Sequence, residues 1–521
     1  MPTSEKPLKQ PAPPLHELLD AGLATDPEAV AMVSIGESIT WRELDRKSSS
    51  LAAGYLSLGL KPGDRIASLM PNRIDLVIHY LACLRSGLCL TPLNYRYTAR
   101  EIDHALGVSG ASALLFHYER SGDLKESQLV TKLPLGTISY EGEKSAQESQ
   151  FGSLLESSSP IEPFPVHASS APAVIFFTSG STGPAKGVTH THESLRWMIA
   201  SAVGAFDLKA SDIFLPGSSM SHVGSFLWAL STLSVGGRVV VARTFDSHEI
   251  LPLLREEKPT LLAMIPAALI ALIRDHDLLP GDFSTLRACR SGSDKVSTEL
   301  LAEFAKVAGF PIDEGYGMTE VGLATLNPPD GVIKQGSIGC PVPGFQIEVR
   351  NELNEPVTPG EVGKIWMKTG SRMSGYWNAP EATAEVLHNG WIDSGDLAHA
   401  DEDGYLWFFG RKKQVIVHDG SNISPFEVEG ALDEHPAIEL AGVVGIHDEV
   451  HGETVRAYVT LKKGAIRPTS AELIVFCRKL IGYKAPEEII FLEEIPLNPT
   501  GKIDRVALKK MAEDHLHPHG I

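Results

Sequence analysis

Residues 178–187 read Thr-Ser-Gly-Ser-Thr-Gly-Pro-Ala-Lys-Gly and follow directly on the apolar run Val174-Ile175-Phe176-Phe177. This junction constrains the fold more than any other stretch of the chain. The apolar run has strand character, and Gly180, Gly183 and Gly187 let the backbone after it turn tightly and approach an anion. Thr178, Ser179, Ser181 and Thr182 supply hydroxyl donors beside the charge of Lys186, and a polyphosphate needs all of these together. A flexible linker shares the composition, but a linker has no reason to follow a buried strand or to carry a fixed lysine. The Walker-type loop is excluded by spacing. Counting from Gly180, its second glycine falls on Ala185, and Lys186 is followed by Gly187 rather than by a hydroxyl that could hold magnesium.

Around this loop the pattern alternates strands with helices. Residues 65–70 read as a strand, and Pro71-Asn72 then opens a helix with Leu76, Tyr80 and Leu84 on one face. Thr98-Ala99-Arg100-Glu101 forms a capping box that starts another helix, with Ile102 and Leu106 on its apolar side. Alternation of this kind predicts an α/β fold of mostly parallel sheets covered by helices. The apolar stretch 261–273 is too short to span a membrane and carries Pro266, so a buried helix is expected. Asp403-Gly404, between apolar runs, predicts a hairpin turn that returns the chain as a strand through Tyr405-Leu406-Trp407-Phe408-Phe409. After Arg411 the character changes and a compact unit of about a hundred residues follows.

Four further motifs follow in order. Gly315-Tyr316-Gly317-Met318-Thr319-Glu320 combines a flat ring with a polar tip and a hard oxygen ligand suited to magnesium. Trp391-Ile392-Asp393-Ser394-Gly395-Asp396 precedes Gly410-Arg411, and an aspartate can accept from two sugar hydroxyls while a guanidinium reaches the same sugar. His418-Asp419-Gly420 follows the change of character, and Asn498-Pro499-Thr500-Gly501-Lys502 would present a lysine at the tip of a turn. Taken alone, Glu320 is a turn acid, Tyr316 a core residue and Lys502 a surface lysine; the ordered set reverses those readings.

With the glycine-rich loop, the set resembles the acyl-adenylate-forming superfamily, which includes acyl-CoA synthetases, luciferases and adenylation domains. The resemblance implies a large N-terminal domain of helix-covered sheets with a β-barrel-like subdomain over 1–412, a hinge at 413–415 and a small mobile α+β domain over 416–521. It implies that ATP binds with its phosphates on Thr178, Ser179, Gly180, Ser181, Thr182, Gly183 and Lys186. The adenine would lie between Tyr316 and Gly292-Ser293-Asp294, and the ribose on Asp396 and Arg411. Glu320 would hold Mg2+, Thr319 would lie near the α-phosphate and the acid, and Lys502 would bridge the two. Gly420 would admit the pantetheine arm of CoA in a second pose, since a side chain there would obstruct it. Two departures stand out: the family usually places proline directly before the loop lysine, where this chain has Pro184-Ala185, and an acidic residue at the hinge, where it has Gln414.

The implied reaction joins a carboxylic acid to CoA through an acyl-adenylate, releasing AMP and pyrophosphate. The alternatives are transfer to a carrier-protein thiol or a non-catalytic nucleotide-binding homologue. His222, Gly224, Gly317, Met318 and Val321 would wall the acid pocket, and their mainly small or apolar character favours a hydrophobic acid, fatty or aryl. Of Phe226, Leu227 and Trp228, which could extend that pocket, at least two are expected in an ordinary helix core. A formal net charge of −19 argues against a nucleic-acid partner. Five cysteines without metal-type spacing read as reduced and mostly buried. The start of the chain lacks a signal-peptide core and no stretch spans a membrane, so the expectation is a cytoplasmic enzyme, with a homodimer the family-level guess.

Overall fold

The computed structural model describes residues 8, 10–142, 148–157, 159–160, 164, 167–178, 184–279, 281–292, 296–329, 331–418, 421–448, 451–498 and 502–516. Two large sheets form the N-terminal part. In one, the strands Ile312–Met318, Ala288–Ser291, Leu261–Met264, Ile213–Gly217, Arg238–Val240 and Val30–Ser34 run parallel. Antiparallel strands close both of its ends. The other has a parallel centre in Pro172–Phe177, Cys89–Pro92, Arg65–Leu69, Ala113–His117 and Thr137–Tyr140. This is the mostly parallel α/β architecture that the alternating pattern predicts.

The core also encloses a helix buried on every side. All 13 residues of the helix Ile74–Ser86 are buried, beyond the single face predicted for it. Its polar members are therefore partnered: the Tyr140 hydroxyl donates to Asp75 at 2.7 Å, Tyr55 and His79 share a hydrogen bond at 2.8 Å, and Arg85 donates to Asp45, Ser48 and Ser49. Asn72 ties the start of this helix to the loop after Ile213–Gly217 of the first sheet, donating to the Ser218 carbonyl and accepting from the Met220 amide. The capping box at Thr98 and Glu101 forms as predicted and opens the helix Ala99–Ser109.

The stretch 261–273 departs from expectation. It is a strand, Leu261–Met264, followed by the helix Pro266–Ile273. Pro266 takes the first helical turn, where its missing N–H costs nothing, and so marks a helix start in place of the interruption that it suggested.

The strands Phe345–Arg350, Gly363–Thr369, Leu387–His388, Trp391–Ala400 and Leu406–Arg411 form an antiparallel sheet of five. The predicted hairpin joins its last two members. A short 3-10 turn, Lys412–Gln414, leads into the C-terminal unit, in which Ile438–Asp448 and Gly452–Leu461 pair over ten residues with a core of their own. Four of the five cysteines are buried and all five are free thiols. Among the described residues no helix is long and apolar enough to cross a membrane, and no cluster of three or more His, Cys, Asp or Glu is arranged to hold a metal.

Candidate active site

The glycine-rich loop joins two antiparallel strands, Pro172–Phe177 and Gly187–Thr191, with Phe177 opposite Gly187. The Thr178 amide donates to the Lys186 carbonyl at 3.2 Å, closing the base of the loop. A Walker loop instead runs into a helix, so the topology supports the exclusion made on spacing. Ser179, Gly180, Ser181, Thr182 and Gly183 lie outside the described residues, as do Ser293, Asp294 and Gly420.

Lys186 holds its ammonium 4.8 Å from the ring centre of Tyr376. The Tyr376 hydroxyl donates to Glu320 Oε1 at 2.8 Å, so one side chain links the loop lysine to the acid of the second motif. Sequence reasoning missed Tyr376. Its two-residue strand Gly375–Tyr376 pairs with Val188 and Thr189 at the edge of a sheet whose members come from distant parts of the chain. Glu320 itself is buried, and that burial raises its pKa against the donation from Tyr376. Behind it, the His190 ring donates from Nε2 to the Thr319 carbonyl at 2.8 Å. Burial depresses the His190 pKa to about 4.

The second motif sits on a hairpin, the strand Ile312–Met318 turning through Thr319-Glu320-Val321 into Gly322–Leu326. A Cβ on Gly317 would lie 2.3 Å from the Gly322 carbonyl oxygen, so the hairpin closes only with glycine there. Gly317 and Met318 keep exposed surface, whereas Val321 is fully buried in the main core. Gly292 packs its backbone against the Gly315 carbonyl.

Tyr316 and Asp396 come together from residues 80 apart: the hydroxyl donates to Asp396 Oδ2 at 2.7 Å. Arg411 faces Asp396 across paired strands and holds Nε 3.4 Å from Oδ1. A carboxylate offers about four acceptor sites, so about two remain for a diol after these contacts. Burial raises the Asp396 pKa, while Arg411, Tyr316 and Lys502 oppose that shift. Tyr316 is largely buried, with one ring neighbour in Phe408 at 6.1 Å and 31°.

His222 stands at the start of the helix Val223–Ser234, and the Asn94 amide donates to its Nε2 at 3.3 Å. Burial, with the charge of Lys502 second, depresses the His222 pKa to about 4, so the ring is neutral at pH 7. The charge of Lys502, from the C-terminal unit, lowers the pKa of both His222 and Asp396. Its own loop is closed by the Asn498 amide donating to the Lys502 carbonyl at 2.7 Å and the Lys502 amide donating to Asn498 Oδ1 at 3.1 Å. The structure thus joins Lys186 to Glu320 through Tyr376, and Tyr316 and Arg411 to Asp396, with the charge of Lys502 felt at Asp396 and His222. Asn94, His190 and Tyr376 join them without a motif of their own.

Comparison with known proteins shows the family. The profile of AMP-binding enzymes matches residues 19–377, and that of the AMP-binding enzyme C-terminal domain matches 427–502. A feruloyl-CoA synthase from an Amycolatopsis species is 34% identical over 486 residues, covering 92% of this chain and 94% of its own. The fatty acid–[acyl-carrier-protein] ligase ScoC of Streptomyces coeruleorubidus is 34% identical over 495 residues, covering 93% of each. The crystal structure of ATP-bound MatB from Rhodopseudomonas palustris superposes with a TM-score of 0.89 at 26% identity, over 97% of this chain and 99% of that one.

Proposed function

The chain belongs to the AMP-binding enzyme family, and from that premise we propose that it activates a hydrophobic carboxylic acid with ATP and transfers the acyl group to CoA. In the first step a carboxylate oxygen of the acid bonds to the α-phosphorus and pyrophosphate leaves, giving the acyl-adenylate. In the second the CoA sulfur bonds to the acyl carbon as its proton is lost, and AMP leaves with the electrons of the broken C–O bond.

The observation that carries this reading is the convergence of Tyr316 and Arg411 on Asp396, with the charge of Lys502 favouring the ionised Asp396 and the neutral His222. Two anions must meet in the first step, and an ammonium between them offsets their repulsion as charge moves to the oxygens. A lysine from the second unit is suited to that work because it can withdraw afterwards and leave room for a thiol. The turn at Lys412–Gln414 is the pivot for that motion. Asp396, oriented by Tyr316 and paired with Arg411, holds the ribose, while Tyr316 and residues 292–294 enclose the adenine. Residues 178–186 bind the β- and γ-phosphates, Thr319 contacts the α-phosphate and Gly420 borders the path of the pantetheine arm.

Glu320 fits a magnesium ion: its carboxylate is a hard oxygen donor whose burial leaves its charge in want of a cation. When bound, the ion neutralises phosphate charge. Tyr376 keeps Glu320 oriented toward the phosphate side by donating to one of its oxygens.

The test is carboxylate-dependent exchange of pyrophosphate into ATP across a panel of acids, followed by a comparison of CoA with carrier protein as acceptor. Exchange with no acid refutes the proposal. The identity with the carrier-protein ligase favours a second reading, loading of a carrier thiol, and transfer to carrier protein alone would establish it.

A further inference from the structure

We propose that Trp228 is the floor of the acid pocket, limits it to about one aromatic ring on a short linker, and offers its indole N–H to an oxygen at the far end of that ring. The inference rests on the acid-activating function above and names the substrate class within it.

Within the 12-residue helix Val223–Ser234, Ser225, Phe226 and Leu227 are buried, as are all residues from 229 to 233. Surface remains open at Val223, Gly224 and Trp228, beside His222, and at the far terminus. Gly224 and Trp228 stand one turn apart on one face. The next positions on that face, Ser231 and Thr232, are closed completely, so the open strip ends at Trp228. From His222 to Trp228 the helix rises ~9 Å. That depth suits an aryl acid or a short aliphatic one and excludes a long chain.

The floor is held firmly. Phe206 meets the Trp228 ring edge-on at 4.7 Å and 85°, and Phe214 stacks on it at 6.3 Å and 10°. Behind Phe206 lies the Arg290 guanidinium, 5.3 Å from the ring centre and paired with Asp313 in the interior. Displacing Trp228 would push aromatic rings against a buried ion pair, for which there is no spare volume.

Gly224 keeps this face free of a side chain. A Cβ built there finds nothing nearer than the Trp228 indole, with Nε1 the first atom at 3.7 Å. The edge presented to the pocket is therefore the N–H edge, and no acceptor for it is found among the described residues. A half-buried donor without a partner favours a ligand that supplies an oxygen there, such as a ring hydroxyl or methoxy group.

The test measures kcat/KM for pyrophosphate exchange in wild type, Trp228→Phe and Trp228→Ala with cinnamate, 4-methoxycinnamate, butanoate and dodecanoate. Wild type should prefer 4-methoxycinnamate to cinnamate by about fivefold or more, the worth of one hydrogen bond, and should use dodecanoate poorly. Trp228→Phe keeps the ring and should erase the methoxy preference. Trp228→Ala opens the floor and should raise the dodecanoate to cinnamate ratio at least about tenfold. Should that variant not fold, Gly224→Val tests depth from the other side, since its side chain meets only ordinary contact and should raise the butanoate to cinnamate ratio. Wild type using dodecanoate as well as cinnamate overturns the depth limit, and a methoxy preference surviving in Trp228→Phe overturns the hydrogen bond. In both cases the acid-activating function stands. No exchange with any acid removes that function and this inference with it.

Discussion

Two ion pairs cross from the N-terminal part to the C-terminal unit near the helix Thr298–Ala308, and breaking one of them should slow the first half-reaction selectively. Lys462, just past the strand Gly452–Leu461, donates to both oxygens of Glu299 at 2.8 and 2.9 Å. Arg274 donates to Glu439 at 3.3 Å while holding Glu303 on its own side at 3.0 Å. Side-chain exposures of 24% for Lys462 and 39% for Glu299 leave the closer pair partly screened, so it contributes about 0.5–1 kcal/mol, and the longer pair less. That is small beside folding stability but large for a balance between two poses: about 0.7 kcal/mol changes the fraction in the first-step pose roughly threefold. Lys462→Gln should therefore lower kcat/KM for pyrophosphate exchange about threefold. Thioester formation from supplied acyl-adenylate should hold steady or rise. Raising the salt concentration should reproduce the effect in wild type and do little to the variant. Lys462→Gln added to Glu299→Gln should be little worse than Glu299→Gln alone, because Glu299→Gln already removes that pair together with the 3.5 Å contact to Arg274. Equal losses in both half-reactions, or losses that simply add, would refute a role in holding the pose.

Lys502→Ala should abolish adenylate formation yet spare thioester formation from supplied acyl-adenylate, which rapid quench of each half-reaction would resolve. Tyr316→Phe removes the buried donor to Asp396 and should raise the KM for ATP about five- to thirtyfold, for a loss of about 1–2 kcal/mol, with the KM for the acid little changed. Acid should destabilise the fold through its buried histidines: His190, His192 and His222 are depressed to about 4 and His79 to about 3, each chiefly by burial. The unfolded chain takes up protons below about 6.5 that the folded chain refuses, so stability present above that pH is lost as pH falls toward 4. The slope approaches about 1.4 kcal/mol per pH unit for each such group. Urea midpoints at pH 7 and pH 5 measure this, and equal midpoints would contradict it.

Local signals were legible where the physics is local. The capping box at Thr98 and Glu101, the strand before the glycine-rich loop and the turn at Asp403-Gly404 each depend on neighbours within a few residues, and each stands where it was expected. Residues 261–273 were misread because a short apolar run looks alike as a buried strand or a buried helix, and Pro266 serves as well for a helix start as for an interruption. Phe226 and Leu227 fell into the core as expected, but the open surface of Trp228 depends on Gly224 one turn away and on which neighbours close the remaining faces.

The order of the glycine-rich loop, the Tyr316 to Glu320 motif, Asp396, Arg411 and Lys502 is carried by the sequence alone. With it come the hydroxyls, carboxylates and cations that phosphate, sugar and acyl chemistry require. Which of these groups meet was decided by the tertiary structure. Tyr316 reaches Asp396, Tyr376 joins Lys186 to Glu320, and Lys502 bears on His222 because strands distant in sequence pair and one unit lies against another. Periodicity reports only which face of an element is apolar, whereas pairing is settled by the burial of those faces against each other, a property of the whole chain.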